Sequence, residues 1–278
     1  MAKSVGSRLL EVPGGSLAYE ESGTGVPIVL LHEGIADRRV WNREFPALAK
    51  RYRVLRYDLR GFGGSTPATA PFSFVEDLSA VITGLELDRP VLVAPSMGGR
   101  IAIDYALDHP TRVRGLFLLA PGLSGMRIEM DPEGKEAFEI DDRESSAIAT
   151  AWSAGKKEEA FERLRKLWGA ALTGPSLELF RTMVEENTAE VFDSRSDRFD
   201  HLIGPPAAPR LASLRVPTQV LVGDRDNPSS PRFAMFVADR VPGAGLSRIP
   251  GADHLINLSA PHAFDRELSA FLDRVGTP

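Results

Sequence analysis

The sequence predicts an α/β domain: a mostly parallel sheet covered by helices on both faces, with a helical segment inserted late in the chain. Two observations carry this. Short apolar, β-branched runs alternate with stretches of helical periodicity, which implies right-handed β-α-β units. The alternation stops near residue 124, gives way to a charged, helix-rich stretch, and resumes after residue 210. The expected division is a core of 1–123 and 211–278 and an insertion of 124–210.

"RLLEVPGGSLAYEESG" (8–23) reads as two strands around a Pro-Gly-Gly turn. "PIVLLH" (27–32) is a continuous apolar run, the pattern of a strand buried on both faces. A helix is expected over Trp41–Lys50, and the next strand is "RVLRYD" (53–58). Phe74, Leu78, Val81, Ile82 and Leu85 fall at helical spacing. Val91–Ala94 is a buried strand, Met97–Leu107 a helix, and "GLFLLAP" (115–121) a strand. In the insertion, Phe161, Leu164 and Trp168 share one helix face, which predicts a lid packed over the mouth of the sheet. "GPPAAPRLASL" (204–214) leads back to strand "TQVLVG" (218–223), a helix over 230–241, strand "LSRIP" (246–250) and a last helix over 260–275. Eight strands result.

The bulk numbers remove several classes of function. The 278 residues, 43% hydrophobic, suffice for a large core. A net charge of −5 with no basic stripe gives no footprint for nucleic acid. The absence of cysteine excludes disulfides and thiol catalysis. "MAKSVGSRLLEVPGG" has no apolar signal core, and no run is long enough to span a membrane, so a soluble, cytoplasmic protein is expected. Oligomeric state is not legible.

The chemistry centres on "VLVAPSMGGR". Ser96 stands where a parallel strand ends and a helix begins, the place where such sheets bind ligands and where a helix N-terminus favours negative charge. Gly98 and Gly99 would let helix and strand approach closely. Ala94-Pro95-Ser96-Met97-Gly98 is the nucleophile-elbow pattern with Ala in the first glycine position. A serine is common at helix starts as a plain cap, so its partners decide. The next strands end in "GDRDNPSSP", which offers Asp224 and Asp226, and in "PGADHLINL", which offers His254. Of the five histidines, His254 alone gives Ser, Asp and His at consecutive strand ends.

With these residues in view, the sequence resembles the α/β-hydrolases, of the small esterase, lactonase and C–C hydrolase type with a helical cap. "LLHEGIADRRVW", "DLRGFGGST", "APSMGG", "VGDRDNPSSP" and "IPGADHLINLSAPHAF" match that family's motifs in order. The resemblance implies a triad of Ser96, Asp226 and His254, and an oxyanion hole from the backbone N–H groups of Met97 and Gly34. It implies no cofactor and no metal. It implies a small ester or lactone as substrate, with C–C hydrolysis of a ring-cleavage product, or a non-catalytic receptor, as alternatives. Asp224, Asp58 and Arg60 are expected to hold their loops.

Two residues depart from the pattern and are possible substrate contacts. Pro95 stiffens the elbow or reshapes the acyl pocket. Glu33 stands where the family has glycine. An inward carboxylate is costly to desolvate, so it is expected to point out and pair with Arg38, Arg39 or Arg100. The alternative is that it faces the pocket and recognises a cationic or hydroxyl-bearing substrate.

Overall fold

The computed structural model describes residues 6–126, 130–193 and 198–276. Eight strands form one sheet: β1 (Arg8–Val12), β2 (Gly15–Ser22), β3 (Pro27–Leu30), β4 (Arg53–Tyr57), β5 (Val91–Pro95), β6 (Gly115–Leu119), β7 (Thr218–Gly223) and β8 (Gly245–Ile249). Their order is β1-β2-β4-β3-β5-β6-β7-β8. β1 and β2 form the antiparallel hairpin and β2 meets β4 antiparallel, while all other pairs are parallel. β3 therefore sits inside the sheet, and its apolar run divides between two layers. Val29 joins one core cluster and Ile28 and Leu30 the other.

Helices cover both faces. α2 (Phe74–Gly84), α3 (Ser96–Asp108) and α8 (Ser230–Arg240) supply Leu78, Val81, Ile101, Ala234 and Val237 to one layer. α1 (Glu44–Leu48) and α10 (Pro261–Arg274) supply Phe45, Phe264, Leu268 and Phe271 to the other. One expected helix is divided: Trp41–Lys50 becomes a 3-10 turn (Arg38–Trp41) followed by α1. The last helix runs as expected, and a separate short α9 (Ile256–Ser259) precedes it. Pro261 starts that last helix at its first position, where its missing N–H costs nothing.

Between β6 and β7 the chain forms α4 (Pro132–Ser153), α5 (Lys157–Trp168), α6 (Gly174–Glu186) and α7 (Thr188–Val191). α4 starts as its sequence demands: Asp131 caps it by accepting from the Gly134 N–H at 2.7 Å, and Pro132 opens it. The apolar face of α5 is buried inside this segment, with Phe161 against Phe180 of α6 at 6.0 Å, and its end residue Trp168 reaches the mouth of the sheet. The segment is tied to the core by part-buried polar contacts. Asp253 accepts from the Ala171 N–H at 2.9 Å, and Asp200 accepts from Arg100 at 2.9 Å and from the Phe74 N–H at 3.1 Å. No helix among the described residues is long and apolar enough to cross a membrane.

Candidate active site

Ser96 is the first residue of α3, directly after the buried Pro95 that ends β5. Its φ is +43°, a left-handed conformation in a non-glycine residue, as the sharp strand-to-helix turn requires. The helix can start there because the next turn carries no bulk. A Cβ on Gly98 would lie 2.8 Å from Leu31 Cβ, and one on Gly99 would lie 2.7 Å from Pro121 Cβ. Pro95 pairs in register with Leu119 and does not line the cavity at the elbow. Its effect is on the turn, and the expectation of a substrate contact is corrected.

That cavity measures about 790 Å³. Ser96, Met97, Gly34 and His254 line it, so the carboxyl ends of β3 and β5 and the loop after β8 meet there. Its far wall is Ile148, Trp168, Val191 and Phe192 from the helical segment. His254 is nearly fully buried, and its Nδ1 lies 2.9 Å from Asp226 Oδ1. Burial alone would lower the pKa of this imidazole, but the adjacent Asp226 carboxylate and the nearby Glu33 and Asp253 carboxyls together outweigh it and the pKa is raised. With Nδ1 engaged, Nε2 is the nitrogen left to exchange a proton with a hydroxyl.

His32 is the histidine closest in sequence to the elbow after His109, and its bonds exclude it as a base. The Leu59 N–H donates to its Nε2 at 2.8 Å, so Nδ1 carries the hydrogen and donates to the Glu33 carbonyl at 2.8 Å. Burial lowers its pKa, which keeps it neutral. It fixes the backbone that leads into Gly34. Asp224 accepts from the Gly251 N–H at 2.7 Å, Arg60 pairs with Asp77 at 2.7 Å, and Asp58 pairs with Arg38 and accepts from the Gly64 N–H at 2.8 Å. All three hold loops.

Glu33 does not pair outward. Arg38 is taken by Asp58 and Glu20, Arg39 by Asp37 and Glu186, and Arg100 by Asp200. Glu33 is 1% exposed, and neither carboxyl oxygen has a hydrogen-bond partner. It does not line the cavity, so it is no substrate contact either; its neighbour Gly34 is the lining residue. The cause is local hydrogen bonding. The His32 bonds and the turn closed by Ala36 N–H on the Glu33 carbonyl fix this backbone and turn the side chain inward. Burial raises the Glu33 pKa to about 7.

Two further residues of the site carry no local sequence signal. Ser230 Oγ, at the start of α8, lies 3.4 Å from His254 Nδ1. Asp141 of α4 accepts from the Ser229 N–H at 3.0 Å, which ties the helical segment to the loop bearing Asp226. Among the described residues no cluster of three or more His, Asp or Glu could hold a metal ion.

Residues 28–267 match the model of the alpha/beta hydrolase family. The chain is 31% identical over 285 residues to the polyketide synthase ThaQ of Burkholderia thailandensis, across 96% of its own length but 13% of the synthase. It is 38% identical over 106 residues to a 2-hydroxymuconate semialdehyde hydrolase of a Pseudomonas species, which covers 36% of this chain and 38% of that enzyme. The chain thus spans well under two thirds of both relatives. Among solved structures, it superimposes on a thermophilic esterase from Thermogutta terrifontis with a TM-score of 0.78 and 27% identity, covering 98% of this chain and all of that one.

Proposed function

This chain belongs to the alpha/beta hydrolase family, and we propose that it is a serine hydrolase that cleaves a small carboxylic ester or lactone through an acyl-enzyme. The observation that carries the reading is His254, hydrogen-bonded to Asp226 at 2.9 Å, sharing one cavity with the strained Ser96.

In this reading His254 Nε2 takes the Ser96 proton as the hydroxyl oxygen attacks the ester carbonyl. Asp226 holds Nδ1–H and stabilises the imidazolium. The negative oxygen of the tetrahedral intermediate accepts from the Met97 and Gly34 N–H groups, a contribution of roughly 3–4 kcal/mol per donor in such sites. The imidazolium returns its proton to the leaving alkoxide, and water repeats the cycle on the acyl-enzyme. No step needs a cofactor. The helical segment between β6 and β7 acts as a cap, a role supported by Trp168, Val191 and Phe192 lining the same cavity as Ser96.

The test is turnover of a panel of small esters and lactones, with Ser96→Ala as control. Hydrolysis abolished by that change supports the proposal. A second reading, hydrolysis of a C–C bond, is favoured by the similarity to the semialdehyde hydrolase. Cleavage of a ring-fission dienoate with no activity on any ester would select it. Ligand binding without turnover of any compound would mark a receptor.

A further inference from the structure

The turn between β7 and α8 carries Asp226, and the carboxylate of that residue is thinly held. Among the described residues, its Oδ1 accepts from His254 Nδ1 at 2.9 Å and from the Asn227 N–H at 2.8 Å, while its Oδ2 has no partner. The aim of Asp226 at the imidazole is therefore set by the backbone of the turn. Before Asp226, the Asp224 and Arg225 N–H groups donate to the carbonyls of Ile249 and Ala252 at 3.2 and 2.9 Å. After it, Asn227 Oδ1 accepts from the Ser230 N–H at 2.9 Å, and Asp141 Oδ2 accepts from the Ser229 N–H at 3.0 Å. Of these last two bonds, only the one to Asp141 reaches another element. Asp141 lies in the middle of α4 and is 8% exposed. A carboxyl is costly to bury. Here it meets the start of α8, where Ser229 caps the helix without a side-chain bond and the N–H groups of the first turn favour an acceptor. The loop of the base is held in the same way. Asp253, the residue before His254, accepts at 2.9 Å from the N–H of Ala171, between α5 and α6. The helical segment thus grips both loops of the Asp226–His254 pair.

We propose that Asp141 is a positioning residue for Asp226: through the Ser229 N–H, the helical segment holds the acid turn where Asp226 can orient the His254 imidazole. The inference rests on the reading of Ser96, Asp226 and His254 as a triad. A segment that only roofed the cavity would govern how large substrates bind. A segment that also seats the acid governs proton transfer for every substrate, the smallest included. A shift of the turn by about 1 Å is enough to cost on the order of a hundredfold in rate.

The experiment measures kcat and KM on a small acetate and on a bulky ester for the wild-type enzyme, Asp141→Ala and Asp141→Asn, each shown to be folded by circular dichroism. Asp141→Ala should lower kcat on both esters by about tenfold or more, with KM for the acetate nearly unchanged. Asp141→Asn keeps an acceptor for the Ser229 N–H and should recover most of the rate. If Asp141→Ala does not fold, Asp141→Leu takes its place, since it fills a similar volume without an acceptor. In an Asp226→Asn background the acid is already lost, so removing the Asp141 acceptor should cost little more. Three results overturn the proposal: an unchanged kcat on the acetate, no recovery in Asp141→Asn, or losses that multiply with Asp226→Asn. Turnover that survives Ser96→Ala, or is indifferent to Asp226→Asn, overturns instead the triad on which the proposal rests.

Discussion

Asn187 donates from Nδ2 to the buried carboxylate of Asp37 at 2.8 Å. The same amide accepts from the Gly63 N–H at 2.7 Å and donates to the Met183 carbonyl at 2.6 Å. One side chain of the helical segment thus holds two core loops, and Asp37 is four residues beyond the Glu33 position. Asn187→Ala leaves a buried carboxylate and a backbone donor short of partners, a loss of roughly 1–3 kcal/mol. The expected result is a lower unfolding midpoint and a larger rise in KM for bulky esters than for acetates. Equal KM values for both sizes would show that Asn187 does not set the seat of the cap.

Ser96→Ala and His254→Ala should each reduce kcat by a factor on the order of 10³ or more, and the double variant should be scarcely slower than either. The two groups act on one proton, so the second loss has nothing left to remove. Steady-state rates of the three variants, with active-site titration to exclude contamination, check this. Additive losses would mean that the residues work independently.

Asp226→Asn tests the other side of the imidazole. The amide preserves volume but presents a donor to Nδ1, which drives the hydrogen to Nε2, the nitrogen that must be free to accept. A fall in kcat on the order of 10³–10⁴ with little change in KM is expected. Nitrogen NMR of the His254 ring reports the tautomer directly, and an unchanged tautomer with normal turnover would contradict the role given to Asp226.

Glu33 also links stability to pH. Burial raises its pKa from 4.5 to about 7. Between those values the folded protein keeps a proton that the unfolded chain has lost, so stability declines as pH rises through this window, by roughly 3 kcal/mol in all. Glu44, also raised to about 7 by burial, contributes equally to wild type and variant and cancels in the comparison. Urea unfolding near pH 5 and near pH 8 should therefore show Glu33→Gln gaining on wild type at the higher pH. A constant difference between the two proteins would place the Glu33 carboxyl in water.

The sheet was legible because β3, β5, β6 and β7 are buried on both faces and so read as unbroken apolar runs. The elbow was legible because Gly98 and Gly99 sit where a Cβ has no room. The direction of Glu33 was not. Its side chain is turned by bonds from His32 and Ala36, and a sequence does not reveal which face of a loop those bonds leave inward. Nor does any local pattern mark Asn187, Asp141 or Ser230, whose partners lie 150, 88 and 24 residues away. The spacing of Phe161, Leu164 and Trp168 predicts that this whole face of α5 meets the mouth of the sheet; Trp168 lines the cavity there, but Phe161 packs on Phe180 within the same segment.

Position 96 also sets stability against chemistry. A side chain held at φ +43° costs of order 1 kcal/mol that glycine would not incur. Ser96→Gly should thus yield a protein more robust to heat than Ser96→Ala, though both lack the hydroxyl. An organism that needed this fold only as a scaffold would gain from glycine there. The serine marks a place where a reactive hydroxyl is kept at the expense of the most durable fold.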